Sequence, residues 1–259
     1  MPGDAKARAA LASKLVGTFE SWGYDRVTTP PFEYADVLER GLEVDSRDLV
    51  RFVEPDTGEV ALLRPDITPQ IARIVASRLS HRPPPWRLCY PGPVVRRRRG
   101  RARKSGQRSP ARIECVGRVG LDADAEVISL AFEACAAVGL KDVSFELGQV
   151  RLAKLAIDAV PEAARADAAT AMGAKDIYAL EQVLESAGVP ARSRKRALTL
   201  LELWGDPEDV LKRGRRSLRD DTSRAALDEL EYVYVRLLSP LQNPDGPPPT
   251  PRTGVHPAS

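Results

Sequence analysis

Asp66 and Thr68 stand two residues apart in the run Leu62-Leu63-Arg64-Pro65-Asp66-Ile67-Thr68-Pro69-Gln70-Ile71-Ala72-Arg73. An acid and a hydroxyl are thereby set at the junction of an apolar strand and a helix. Thr68 followed by Pro69 predicts an N-cap with proline at the first helical position. Ile71, Ile74, Val75 and Leu79 then share one helical face. Two readings follow. In one, Thr68 caps the helix and Asp66 caps or meets solvent. In the other, the free N–H groups of the helix start act with Asp66 and Thr68 to hold a small polar ligand by its charged ends.

A second group could meet anions. Arg96 opens a run in which Arg97, Arg98, Arg99, Arg101, Arg103 and Lys104 are candidate contacts. Clustered guanidiniums release counterions from a polyanion, but such a run is also what a solvated loop between two strands presents. No aromatic residue interleaves it, so base stacking has no support. The formal net charge of the whole chain is only +3, which disfavours a dedicated nucleic-acid binder.

The elements that must position these residues come in two halves. Leu11, Leu15, Phe19 and Trp22 predict an opening helix ended by Gly23. Residues 27–32 read as extended, and 35–42 as a brief helix. Residues 51–53 and 60–63 flank Asp56-Thr57-Gly58 and predict a hairpin. Further strands are expected within 86–95, 113–121 and 143–150, with a helix from Asp122 to Val138 stopped by Gly139. Beyond residue 150 the pattern turns helical, at 152–160, 177–187, 192–203 and 222–238. Strands first and helices later predict an α+β fold on a mainly antiparallel sheet. One domain is expected over residues 1–239, followed by a disordered Pro-rich tail over 240–259.

Composition narrows the chemistry. Cys89, Cys115 and Cys135 have no C-x-x-C or histidine spacing, so neither a metal site, a cofactor-bearing cluster nor a disulfide framework is expected. The two histidines, His81 and His256, leave little room for histidine-based catalysis. No apolar run reaches the ~18 residues of a membrane span, and the charged N-terminus lacks a signal-peptide core. A cytoplasmic protein is expected.

The block Arg64-Pro65-Asp66-Ile67-Thr68-Pro69-Gln70-Ile71-Ala72-Arg73 closely resembles the regulatory subunit of ATP phosphoribosyltransferase, a non-synthetase relative of histidyl-tRNA synthetase with the class II synthetase fold. Trp22-Gly23-Tyr24, Pro30-Pro31-Phe32-Glu33, Arg87 to Arg96, Asp124-Ala125-Glu126-Val127-Ile128 and Leu147-Gly148-Gln149-Val150 extend the resemblance. It covers nearly everything to about residue 238. It implies a class II synthetase-like sheet flanked by helices and a subunit without catalysis of its own. Such a subunit assembles with the short catalytic subunit that condenses ATP with phosphoribosyl pyrophosphate at the start of histidine biosynthesis. The resemblance also implies self-association or a hetero-oligomer, and a pocket for L-histidine. In that pocket Asp66 would hold the ligand's ammonium, Thr68 would offer its hydroxyl, and Arg96 would face a carboxylate.

This sequence departs from the family in two places. Where the family shows a glutamine, a glycine and a glutamate after the motif-two loop, the run here is Ile113-Glu114-Cys115-Val116-Gly117-Arg118-Val119-Gly120. The best register sets Cys115 at the glutamine and Arg118 or Val119 at the glutamate, so half the expected ammonium contacts vanish. Glu114 substitutes only if the register slips by a residue. The family's later strands and last motif do not follow the 222–238 helix, so the chain reads as a C-terminally truncated member whose sheet is incomplete. The missing motif and a motif two reading Arg96-Arg97-Arg98 argue against synthetase activity. The alternative is a synthetase-like paralogue that binds tRNA or another polyanion through its arginine-rich loop, which lies over ATP in the synthetase relatives.

Overall fold

The structure, a computed structural model, describes residues 2–39, 46–96, 107–108 and 111–238. The chain divides into two compact units, the first running to Lys141 and the second beginning at Asp142. The first carries every strand found among the described residues.

Helix α1 (Pro2–Glu20) leads into β1 (Asp25–Arg26) through Gly23, whose φ of 78° suits a residue without a Cβ. β2 (Phe32–Tyr34), α2 (Ala35–Glu39), β3 (Val50–Val53) and β4 (Val60–Leu63) follow. The predicted hairpin is present: β3 and β4 pair antiparallel, and β2 pairs with the other edge of β4. Its turn is held by the Glu54 carboxylate, which accepts from the Asp56 and Thr57 N–H groups at 3.2 and 2.7 Å. Helix α3 (Thr68–Ile74) continues as a wider π turn over Val75–Leu79. β5 (Trp86–Pro91), β6 (Val94–Val95), β7 (Gln107–Arg108), β8 (Ala111–Val116) and α4 (Leu121–Ala137) complete the unit.

The central sheet runs β1-β5-β8. β1 lies parallel to β5, and β5 pairs antiparallel with β8 in register from Trp86↔Val116 to Pro91↔Ala111. Strand alternation sorts the side chains onto two faces. On one, Leu88, Tyr90, Trp86 and Val116 pack with Ile67, Ile71 and Val75. On the other, Cys89, Ile113 and Cys115 pack with Val16 and Phe19 of α1 and with Leu130 and Ala134 of α4. The strand β8 ends at Gly117, where φ is 81° and an added Cβ would stand 2.6 Å from Pro84 Cβ and 3.4 Å from Trp86 Cζ3. Gly117→Ala is therefore expected to lower stability by about 1–3 kcal/mol, from a strained backbone and an overfilled contact. A urea midpoint unchanged from the parent's would refute this.

The second unit is helical: α5 (Val150–Asp158), α6 (Glu162–Gly173), α7 (Ile177–Ser186), α8 (Ala191–Glu202), α9 (Pro207–Ser217) and α10 (Asp221–Leu238). α5 to α8 bury Ala156, Ala168, Leu180, Leu184 and Ala197 in one core, while Leu211, Leu218 and Leu227 form another with α9 and α10. Two expectations about the elements need correction. The stretch 143–150 is irregular and pairs with no strand among the described residues, and Val150 already begins α5. Two helices, α6 and α9, stand where no element was expected. The predicted tail from residue 240 lies outside the described residues.

Candidate functional site

Asp66 sits between β4 and α3, and its carboxylate starts the helix. Oδ1 accepts the Ile67 and Thr68 N–H groups at 2.7 and 3.1 Å. Thr68 is thus not the cap its sequence suggested: Ile67 takes the cap position, Thr68 is the first helical residue, and no cap-residue side chain closes the turn. The Thr68 hydroxyl is freed for the sheet, donating to Glu114 Oε1 at 2.8 Å. Tyr90 of β5 donates to the same oxygen at 2.8 Å.

Arg112 of β8 reaches across to Asp66, its Nη1 donating at 2.8 Å to Oδ1 and 3.0 Å to Oδ2. Arg96 donates from Nε to the Pro65 carbonyl at 3.0 Å and brings Nη2 to 3.5 Å from Asp66 Oδ2. The structure therefore joins Asp66, Thr68 and Arg96 in one place and adds Tyr90, Arg112 and Glu114. β8 presents Glu114, not Cys115, toward Thr68. Cys115 faces the α1 and α4 layer, Arg118 pairs with Glu126, and Val119 is 96% exposed. Arg112 and Glu114 alternate with apolar Ile113 and Cys115, a pattern that marks a polar face. Arg97, Arg98, Arg99, Arg101, Arg103 and Lys104 lie outside the described residues.

The charges here are fixed. Burial pushes the Asp66 carboxyl up, but the Thr68 N–H, the Arg112 guanidinium and the Ile67 N–H outweigh it and hold the group below its ordinary value. Burial, aided by Glu114 and opposed by Thr68, drives the Tyr90 phenol far above its usual range. At neutral pH one is a carboxylate and the other a phenol. Such an arrangement offers fixed charges and hydrogen-bonding groups, and neither group is poised to carry a proton.

Behind this face Arg64 is 5% exposed. Its Nη1 donates to the Thr29 carbonyl at 2.8 Å, the Thr29 hydroxyl at 2.7 Å and the Pro30 carbonyl at 3.0 Å, and its Nε to the Pro93 carbonyl at 2.8 Å. On the opposite face of the sheet, Glu126 of α4 accepts Arg87 Nε and Nη2 at 2.7 and 3.0 Å, the Tyr24 hydroxyl at 3.1 Å and Arg118 Nη1 at 2.5 Å. A cleft of about 370 Å³ bordered by Gly23, Asp25, Arg82 and Trp86 includes none of the Asp66 group. The three cysteines are unpaired, and burial pushes the Cys89 thiol up to about 11. Among the described residues, no group of three His, Cys, Asp or Glu side chains could hold a metal, and no helix is long and apolar enough to cross a membrane.

The chain matches the family model described as "Histidyl-tRNA synthetase" over residues 1–244. It is 40% identical over 229 residues to the ATP phosphoribosyltransferase regulatory subunit of Anaeromyxobacter sp. (strain K), covering 87% of this chain and 65% of that protein. It is 34% identical over 242 residues to the regulatory subunit of the same name from Syntrophotalea carbinolica, covering 92% of this chain and 56% of that protein. The chain thus spans between about half and two thirds of these relatives' length. Among solved structures, it superimposes with a TM-score of 0.82 on an ATP phosphoribosyltransferase regulatory subunit/histidyl-tRNA synthetase from Bacillus halodurans, at 26% identity over 92% of this chain and 62% of that one. A histidyl-tRNA synthetase from Nostoc sp. shares the fold, with a TM-score of 0.71 at 18% identity over 90% of this chain and 54% of that one.

Proposed function

We propose, for a chain that belongs to the histidyl-tRNA synthetase family, the role of a non-catalytic regulatory and assembly subunit of ATP phosphoribosyltransferase in the first step of L-histidine biosynthesis. The observation that carries this reading is the 40% identity to a regulatory subunit of that name over 87% of the chain. The site geometry supports it: fixed charges around Asp66 and a phenol held protonated suit binding and not turnover. The partner is the short-form catalytic subunit, met in the cytoplasm by a homodimer or as part of a hetero-oligomer. Asp66, Thr68 and Arg96 are the wall of a pocket descended from an amino-acid site, with Tyr90, Arg112 and Glu114 completing it.

The test is reconstitution. The full chain is mixed with a short-form catalytic subunit, and complex formation is followed by sedimentation velocity beside the rate of ATP condensation with phosphoribosyl pyrophosphate. A stable complex with raised activity is expected. Two separate sedimenting species and an unchanged rate would reject the role.

A further inference from the structure

Asp66 is already well supplied with donors, its Oδ1 saturated and its Oδ2 faced by two guanidiniums. A carboxylate offers about four acceptor positions. Oδ1 already takes the Ile67 N–H, the Thr68 N–H and Arg112 Nη1, at 2.7, 3.1 and 2.8 Å. Oδ2 takes Arg112 Nη1 at 3.0 Å and lies 3.5 Å from Arg96 Nη2. An incoming ammonium would have to displace a guanidinium from its counter-ion and then sit beside it as a like charge, which is unfavourable in a partly buried site. A carboxylate meets the opposite field. Arg112 and Arg96 keep 39% and 47% of their side-chain surface exposed, and each guanidinium carries five N–H donors, more than these contacts use.

We propose that Arg112 is the specificity-determining residue of this pocket: as a resident guanidinium on Asp66 it takes the place of a ligand's ammonium, and it turns the site toward carboxylate ligands that lack one. The inference rests on the reading of this pocket as an amino-acid site by descent. Its chemistry is local. Arg112 lies on β8 two residues from Glu114, and both project to the face that carries Thr68 and Tyr90. The same alternation that brings Glu114 to Thr68 delivers Arg112 to Asp66. Glu114 is the competing acceptor for an ammonium, and its Oε1 already receives both hydroxyls.

The test is calorimetric titration of the full chain and of Arg112→Gln with L-histidine and with its des-amino analogue, imidazolepropionate. The parent is expected to prefer the propionate, and Arg112→Gln to prefer histidine. The ratio of the two affinities should move by about tenfold or more, the scale of one charge-assisted hydrogen bond. Arg112→Lys, which keeps the cation, should keep the parent's preference; a merely structural role for Arg112 would not separate the two ligands. Histidine binding that emerges only in Arg112→Gln supports the proposal equally. A parent that already prefers histidine overturns it and points to Glu114 as the ammonium's acceptor. So does a ratio that does not move, or an Arg112→Gln variant that binds neither ligand. Sedimentation of the same samples with the catalytic subunit separates the failures. An intact complex with an unmoved ratio sinks this inference alone, whereas a parent that forms no complex sinks the functional reading whatever the ratio.

Discussion

Arg64→Met lowers the stability of the first unit by about 3–5 kcal/mol, the cost of breaking a buried charged network. The residue is 5% exposed, and its guanidinium is met by the Thr29, Pro30 and Pro93 carbonyls and the Thr29 hydroxyl. These acceptors come from the segment before β2 and from the turn after β5, so one side chain ties two stretches to the end of β4. Methionine fills much of the volume but donates nothing: the Thr29 carbonyl, the Thr29 hydroxyl and the Pro93 carbonyl lose their donor in a place water reaches poorly, while the Pro30 carbonyl keeps Gln70 Nε2 at 3.1 Å. Arg64→Lys keeps the charge without the fork and should fall between. Gly92 is the counterpart of this arrangement: a Cβ there would lie 2.6 Å from Arg64 Nη2 and 2.9 Å from Ile67 Cδ1. Since whole domains are stable by only about 5–15 kcal/mol, Arg64→Met should be unfolded or nearly so at 37 °C. Urea denaturation followed by tryptophan fluorescence reads the loss, and a shift under about 1 kcal/mol would mean that the carbonyls find other donors.

Glu126→Gln should destabilise the same unit by about 2–4 kcal/mol near neutral pH, mostly through Arg87. The Arg87 side chain is 24% exposed and loses a bidentate carboxylate; that of Arg118, 35% exposed, adds little. The effect should depend on pH. Burial raises the Glu126 carboxyl, but hydrogen bonding and charge from Arg87, the Tyr24 hydroxyl and the charge of Arg118 hold it below its ordinary value. A group depressed in the folded state contributes stability above its unfolded pKa, about 4.3, and that stability is lost as pH falls through the folded value. The difference between parent and Glu126→Gln should therefore be full above pH about 5 and shrink steadily below about 4. A gap that stays constant from pH 7 to pH 3 would show that the side chain acts by shape and not by charge.

The sequence carried the local features well. The hairpin could be read because Asp56-Thr57-Gly58 fits only a tight turn, with Gly58 at a φ of 72°, and Gly23 and Gly139 marked their helix ends for the same reason. Expectation failed where structure depends on a distant partner. Val143, Phe145 and Leu147 alternate as a strand should, yet a strand exists only if another pairs with it. α6 was missed because it buries small residues, Ala168 and Ala171, so large-residue periodicity is silent; its alanine content was the usable signal. α9 carries six charged residues in eleven and little apolar periodicity, but Asp206 before Pro207 is a start signal, and the Asp206 carboxylate does accept the Glu208 and Asp209 N–H groups. The site divides in the same way. Asp66 and Thr68 were visible as a motif in one segment, whereas Arg112, Glu114 and Tyr90 join them through the register of β5 against β8.

That register also sets a limit on how this chain can drift. Arg112 and Glu114 serve one side of β8, while Ile113 and Cys115 serve the other. A slip of one residue within Ala111–Val116 would press a guanidinium and a carboxylate into the apolar layer between α1 and α4 and turn isoleucine toward Thr68. Pocket chemistry and core packing are thus written on alternate letters of the same six-residue word. Point substitutions can edit either meaning, but a single-residue insertion or deletion inside the strand erases both.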